Sequence, residues 1–308
     1  MDIENEKTPM SGAHPRPTFT THSIINYCNN SKEKIFGRIS KECNLSAVFN
    51  GHITDYNYLA EYNNYVHDLD IEQLNFDSVI NGIPEKNKRN ILLKIKQIEI
   101  DNLYQERKEG AHSTRHIENV IFFSSIIGKD LLDEKDLDML LTAALYHDSG
   151  RQSDGRESHA LASSLIAKEK LKDKYNEEDL KIIRAAIEYH EVFEERNDKN
   201  EVDFSELYKI CSNIGMNIND ETLMERTRII ATCLKDADAL DRTRFMSDTK
   251  SFTNPNMLHH SISKKLIKIG SQINEYYATV DLDKVCKKEP KLKPVVEEHI
   301  LKYKSPKL

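Results

Sequence analysis

Apolar residues recur at intervals of three and four along most of this chain, a spacing that builds one face of an α-helix and not the alternating face of a strand. Ile117, Val120, Ile121 and Ser124 share a face of a helix predicted from about Ser113 to Ile127 and stopped near Gly128. The same pattern predicts helices from about Glu134 to His147, from near Ser158 through Leu161, Leu165 and Ile166, from about Glu177 to Tyr189, and from about Leu223 to Leu240. Upstream, Ile91, Leu92, Ile95, Ile98 and Ile100 continue through Leu103 and Tyr104 toward Gly110, and a long helix is expected from about Pro255 to Ala278. Only 10 glycines and 8 prolines occur in 308 residues, too few for an all-β chain with frequent turns. No internal period marks a solenoid. The expected class is mostly α, a helical bundle with an N-terminal helical or irregular extension.

Four regions are expected. Residues 1–20, with Pro9, Gly12, Pro15 and Pro17, read as a mobile tail. Residues 21–88 form an extension of unassigned role, with short helices expected at Ile24–Cys28 and Tyr56–Val66 and turn signals at Asn81-Gly82-Ile83-Pro84-Glu85. Residues 89–280 hold the main helical domain, and residues 281–308 are a lysine-rich segment read as a solvated face.

A net charge of -7 argues against broad electrostatic binding of duplex nucleic acid. Five cysteines, widely spaced and without a Cys-x-x-Cys pair, argue against a disulfide framework and a zinc-thiolate site, and fit a reducing compartment. Cys211 and Cys233 are expected as buried thiols. No signal-type apolar segment follows the acidic start, and no run of apolar residues is long enough to span a bilayer, so no membrane association is expected. The expected location is the cytoplasm, although export by a signal-independent route would leave the same sequence.

The chemistry-bearing residues surround His147-Asp148, which ends the apolar run Leu140–Leu145 and precedes the break Ser149-Gly150. Neighbouring residues reach one ion only where a helix ends and the backbone turns. His112 and His116 lie one turn apart, His159 opens a helix of small residues, and His190 ends an apolar helix as His147 does. Asp236, Asp238 and Asp241 follow the apolar run Ile229–Leu234, with Asp238 and Asp241 on one face. Taken singly, each has an ordinary explanation: a histidine suits a helix C-terminus, and the aspartates could pair with Lys235, Arg242 or Arg244.

Together, the order His116, His147-Asp148, His159, His190, Asp238 closely resembles the HD superfamily of metal-dependent phosphohydrolases, an all-helical fold named for its His-Asp dyad. His112-Ser-Thr-Arg-His116 looks like the family's first-histidine helix, and Leu145-Tyr-His-Asp-Ser-Gly-Arg151 like its dyad segment, with Ser149 a mild departure. Ser158-His-Ala-Leu-Ala-Ser-Ser164 and Ala186-Ile-Glu-Tyr-His190 resemble segments of one branch, and Leu234-Lys-Asp-Ala-Asp-Ala-Leu240 the final-aspartate segment. The resemblance covers about residues 90 to 250.

The resemblance implies His116, His147, Asp148 and Asp238 as principal metal ligands, with His159 and His190 serving a second ion or facing the substrate. His112 is an outer or substrate contact on this reading. The implied cofactor is one or two divalent ions. Nitrogen and oxygen ligands without thiolate suit Mn, Mg, Fe, Co or Ni equally. The implied activity is hydrolysis of a phosphate ester, a nucleotide or another small phosphomonoester or phosphodiester, by a metal-activated water. Asp148, Arg151 and Lys235 are the catalytic candidates, and His112, His159, His190, Lys235 and Arg242 the substrate contacts. Two alternatives stand beside it: a di-iron, O2-dependent oxygenase of the same architecture, and a non-catalytic binding or regulatory module. The expected partners are a small phosphorylated substrate and a protein bound through residues 21–88.

Overall fold

The computed structural model describes residues 65–104, 114–151, 158–242, 253–270 and 272–273. The expectations for residues 1–20, Ile24–Cys28, residues 281–308 and His112 lie outside them.

Asn75, Asp133, Asn176 and Asp220 each accept a backbone N–H with the side chain and start a helix. Such caps satisfy donors that the first turn leaves open and contribute about 1 kcal/mol each. The helices are α1 (Phe76–Asn81), α2 (Glu85–Ile100), α3 (Thr114–Gly128), α4 (Glu134–Tyr146), α5 (His159–Leu171), α6 (Glu177–Tyr189), α7 (Ser205–Asn213), α8 (Glu221–Leu240) and α9 (Ser261–Lys264). No strand occurs among the described residues. A lone bridge pairs Arg196 with Val202. No helix among them is long and apolar enough to cross a membrane.

Helices α3, α4, α6 and α8 pack on one another at the centre; α2 covers α3 and α4, α5 and α7 flank α6, and α9 rests on α8. One face of α3 was expected to be apolar. In the structure every residue from His116 to Gly128 is buried, because α3 is sheathed by α2, α4 and α8 and has no solvent side. Phe122, Phe123, Tyr146 and Tyr189 are the large side chains of this core. Cys211 and Cys233 are buried free thiols, and burial pushes Cys211 up to about 12.

Residues 65–83 share this core through Val66, Phe76, Val79, Ile80 and Ile83. They are stitched to the chain's later part: Tyr65 Oη donates to the Thr253 carbonyl at 3.1 Å, the Leu74 amide to Lys265 O at 2.9 Å, and Gln73 Nε2 to Lys264 O at 3.0 Å. The boundary expected at residue 88 falls inside α2.

The long helix expected from Pro255 to Ala278 is not formed as such. A 3-10 turn at Pro255–Met257 and the short α9 stand in its place, with a bend at His259 and His260 between them. The cause is Asp236, whose carboxylate takes both the His259 and His260 amides, at 3.0 Å each. Two adjacent amides turned toward one buried carboxylate cannot also serve a helix ladder. Helix α7 lies in a stretch, 190–222, for which no helix was predicted.

Candidate metal centre

Five helix ends converge. His116 sits in the first turn of α3, His147 and His190 are the C-cap residues of α4 and α6, His159 opens α5, and Asp238 and Asp241 close α8. Their side chains are buried except for that of Asp238, which is partly exposed.

Each imidazole is pinned through Nδ1. His147 Nδ1 donates to the Ala144 carbonyl at 2.8 Å and His190 Nδ1 to the Ile187 carbonyl at 2.6 Å. In both cases the ring folds back onto a carbonyl in its own helix's last turn, a group left without a helical partner. His116 Nδ1 donates to Asp241 Oδ2 at 2.7 Å, and the other Asp241 oxygen takes a hydrogen from Asn119 Nδ2 at 2.7 Å. His159 Nδ1 lies 3.2 Å from Glu191 Oε1. An Nδ1 hydrogen committed to an oxygen leaves the lone pair on Nε2.

Those lone pairs meet. His116 Nε2 and His147 Nε2 are 3.2 Å apart, as are His159 Nε2 and His190 Nε2. The Asp238 Oδ1 oxygen is 3.2 Å from His116 Nε2. Asp148 spans both pairs: Oδ2 is 3.8 Å from His116 Nε2, while Oδ1 is 3.0 Å from His159 Nε2 and 3.8 Å from His190 Nε2. Acceptors packed this closely repel one another unless a cation lies among them. Donors held about 2.1 Å from one ion stand roughly 3 Å from each other, so the spacing fits a divalent metal. Burial pushes His147 down to about 3, which keeps it in the neutral, ligating form. Among the described residues, the donor triads able to surround an ion are His116, His147 and Asp238, and His147, Asp148 and His190.

The turn carrying the dyad is locked. The Gly150 amide donates to Ser163 Oγ at 2.8 Å, and a Cβ on Gly150 would stand 2.4 Å from the Ser163 nitrogen. Only glycine allows the turn to lie this close against α5. Arg151, the next residue, reaches Asp148 Oδ1 with Nε at 3.3 Å and His159 Nε2 with Nη2 at 2.8 Å.

Lys235 serves the end of α6. Its ammonium donates to the carbonyls of Tyr189 and His190 at 3.3 Å, and to that of Val192, and lies 4.9 Å from the Tyr189 ring centre. It caps the C-terminal end of α6, the helix that ends at His190. Arg242 is exposed, four residues beyond Asp238. Asp236 faces away from the centre and is bound by His259, whose Nδ1 is 2.7 Å from it and whose Nε2 is 2.9 Å from Glu194.

Asn119, Glu191 and the supporting role of Asp241 were not anticipated. Asn119 lies one helical turn from His116 and Glu191 directly follows His190, so position offered a signal for each.

Residues 114–243 match the family model for the HD domain. This segment is similar to HD domains. No curated protein and no solved structure matches the chain. The HD domain belongs to a superfamily of metal-dependent, hydrolase-type proteins that bind divalent metals and include non-hydrolytic members, and here the described His and Asp groups could hold such an ion.

Proposed function

We propose that this domain hydrolyses a phosphate ester, a nucleotide or another small phosphomonoester or phosphodiester. The observation that carries the reading is the convergence of four Nε2 lone pairs and two aspartates beside a guanidinium, with Asp148 common to both pairs of histidines. A divalent ion held by His116, His147, Asp148 and Asp238 would supply an activated water at neutral pH and offset charge on a phosphoryl oxygen.

The protein's own groups do the rest. The Nδ1 anchors hold the imidazoles aimed, so little reorganisation is needed when substrate arrives. A guanidinium carries five N–H donors, and Arg151 turns two of them to Asp148 and His159. The others are left for a phosphoryl oxygen. His190 and the partly exposed Arg151 would border the ester. The guanidinium is also what favours phosphoryl chemistry over O2-dependent oxidation by two irons, which needs no cation at that place.

The test is turnover of a nucleotide and phosphodiester panel by the Mn2+-loaded full chain. Release of phosphate or nucleoside monophosphate, lost in His147→Ala and Asp148→Ala, supports the reading. Metal binding with no turnover on the panel overturns it. Iron content with O2 uptake on polyols or phosphonates would favour the oxygenase instead, and biological activity retained in both variants would favour a binding module.

A further inference from the structure

We propose that Arg151 is a built-in cation at the His159 end of the centre, so that this domain holds a single divalent ion at the His116 end. The inference rests on the metal-dependent reading above and adds the number of ions and the reason for it.

Four observations converge. First, Arg151 already satisfies two of the donors at that end, Asp148 Oδ1 at 3.3 Å and His159 Nε2 at 2.8 Å. A guanidinium is permanently charged and has no lone pair, so it can neutralise these acceptors but cannot join them as a ligand. A divalent ion on the same donors would bring like charges into contact. Second, His159 belongs to neither donor triad. Third, the two triads share His147, and a neutral imidazole offers one lone pair, so one ion in the first triad removes His147 from the second. Among the described residues that leaves His190 and a carboxylate oxygen already turned to Arg151, too few for a closed site. Fourth, the guanidinium is delivered by a fixed backbone. The Arg151 amide donates to the Asp148 carbonyl at 3.1 Å, and the Gly150 amide is tied to Ser163 of the helix that His159 opens.

The dispersed ligand order is thus read as a place for one ion plus one fixed organic cation. A single ion and an arginine would divide the neutralisation of a bound phosphoryl group between them.

The experiment uses the full chain, stripped with a chelator, reloaded with Mn2+ and desalted. Bound manganese per chain is then counted by elemental mass spectrometry. The wild type is expected to retain one ion. Arg151→Ala is expected to gain a second, Arg151→Lys to stay at one, and Arg151→Ala with His159→Ala to return to one. Two ions in the wild type, or no gain in Arg151→Ala that retains wild-type circular dichroism, overturns the proposal and leaves the metal-dependent reading standing. No manganese in the folded wild type overturns both. Electron paramagnetic resonance of the Mn2+-loaded wild type needs no variant. An isolated six-line signal supports the proposal, and an exchange-coupled pair signal overturns it.

Discussion

His116 gives its Nδ1 hydrogen to Asp241, 2.7 Å away, and Asp241 is itself held by Asn119 at 2.7 Å. The ligand lone pair on Nε2 is therefore aimed by a residue that faces no ion. An asparagine at 241 cannot accept from both neighbours with the strength of a carboxylate. Asp241→Asn is expected to weaken metal binding by roughly 10–100-fold, the usual effect of losing such a partner, while helical content is unchanged. Titration calorimetry with Mn2+ checks this, and unchanged affinity would remove Asp241 from the supporting set.

Gly150 tests the lock between the dyad turn and α5. A Cβ there meets the Ser163 nitrogen at 2.4 Å and the Ala162 carbonyl carbon at 2.6 Å, both backbone atoms that cannot swing aside. Gly150→Ala is expected to cost about 1–3 kcal/mol by overpacking and to lower metal affinity by displacing His147 and Asp148. Denaturant unfolding and metal titration of the same sample measure the two effects.

His259 lies between two carboxylates, with Asp236 on Nδ1 and Glu194 on Nε2. Burial pulls it down, but the hydrogen bonds to Asp236 and Glu194 leave it raised above the ordinary histidine value. A raised folded-state pKa contributes stability that is full below about pH 6.5, the unfolded value, and lost as pH rises through the folded value. Melting temperature is expected to fall across that window more steeply in the wild type than in His259→Gln. At pH 6, replacing this partner of two buried carboxylates is expected to cost about 3–5 kcal/mol. Parallel slopes in the two proteins would show that His259 does not titrate there.

Metal should also be a folding ligand. The centre joins ends of α3, α4, α6 and α8, so an ion bound only by the folded state stabilises it by about 2.7 kcal/mol at a hundredfold excess over Kd. Mn2+ is expected to raise the melting temperature, a chelator to lower it, and His147→Ala to abolish the response. Differential scanning calorimetry reads all three.

Legibility in the sequence followed the range of the interactions. Asp133 and Asn176 cap helices within three residues, and the starts at Glu134 and Glu177 are read directly. The mostly helical class and the His-Asp order were legible for a related reason: each of these histidines and aspartates sits at the end of an apolar run or at a helix start, where local pattern is strongest. Pairing across long separations was not. Asp236 meets His259 and His260 more than twenty residues on, and that contact turns an expected helix into a bend. Lys235 donates to carbonyls at the C-terminal end of α6, more than forty residues back, a direction that sequence spacing does not give.

The tie between Gly150 and Ser163 has a mechanical consequence. Because the dyad turn bears on the backbone of α5, His147 and Asp148 cannot travel without carrying His159 with them. The two ends of the centre therefore move as one body. A change of distance between the two pairs of histidines would then fall on rotation of the Asp148 carboxylate, which spans both.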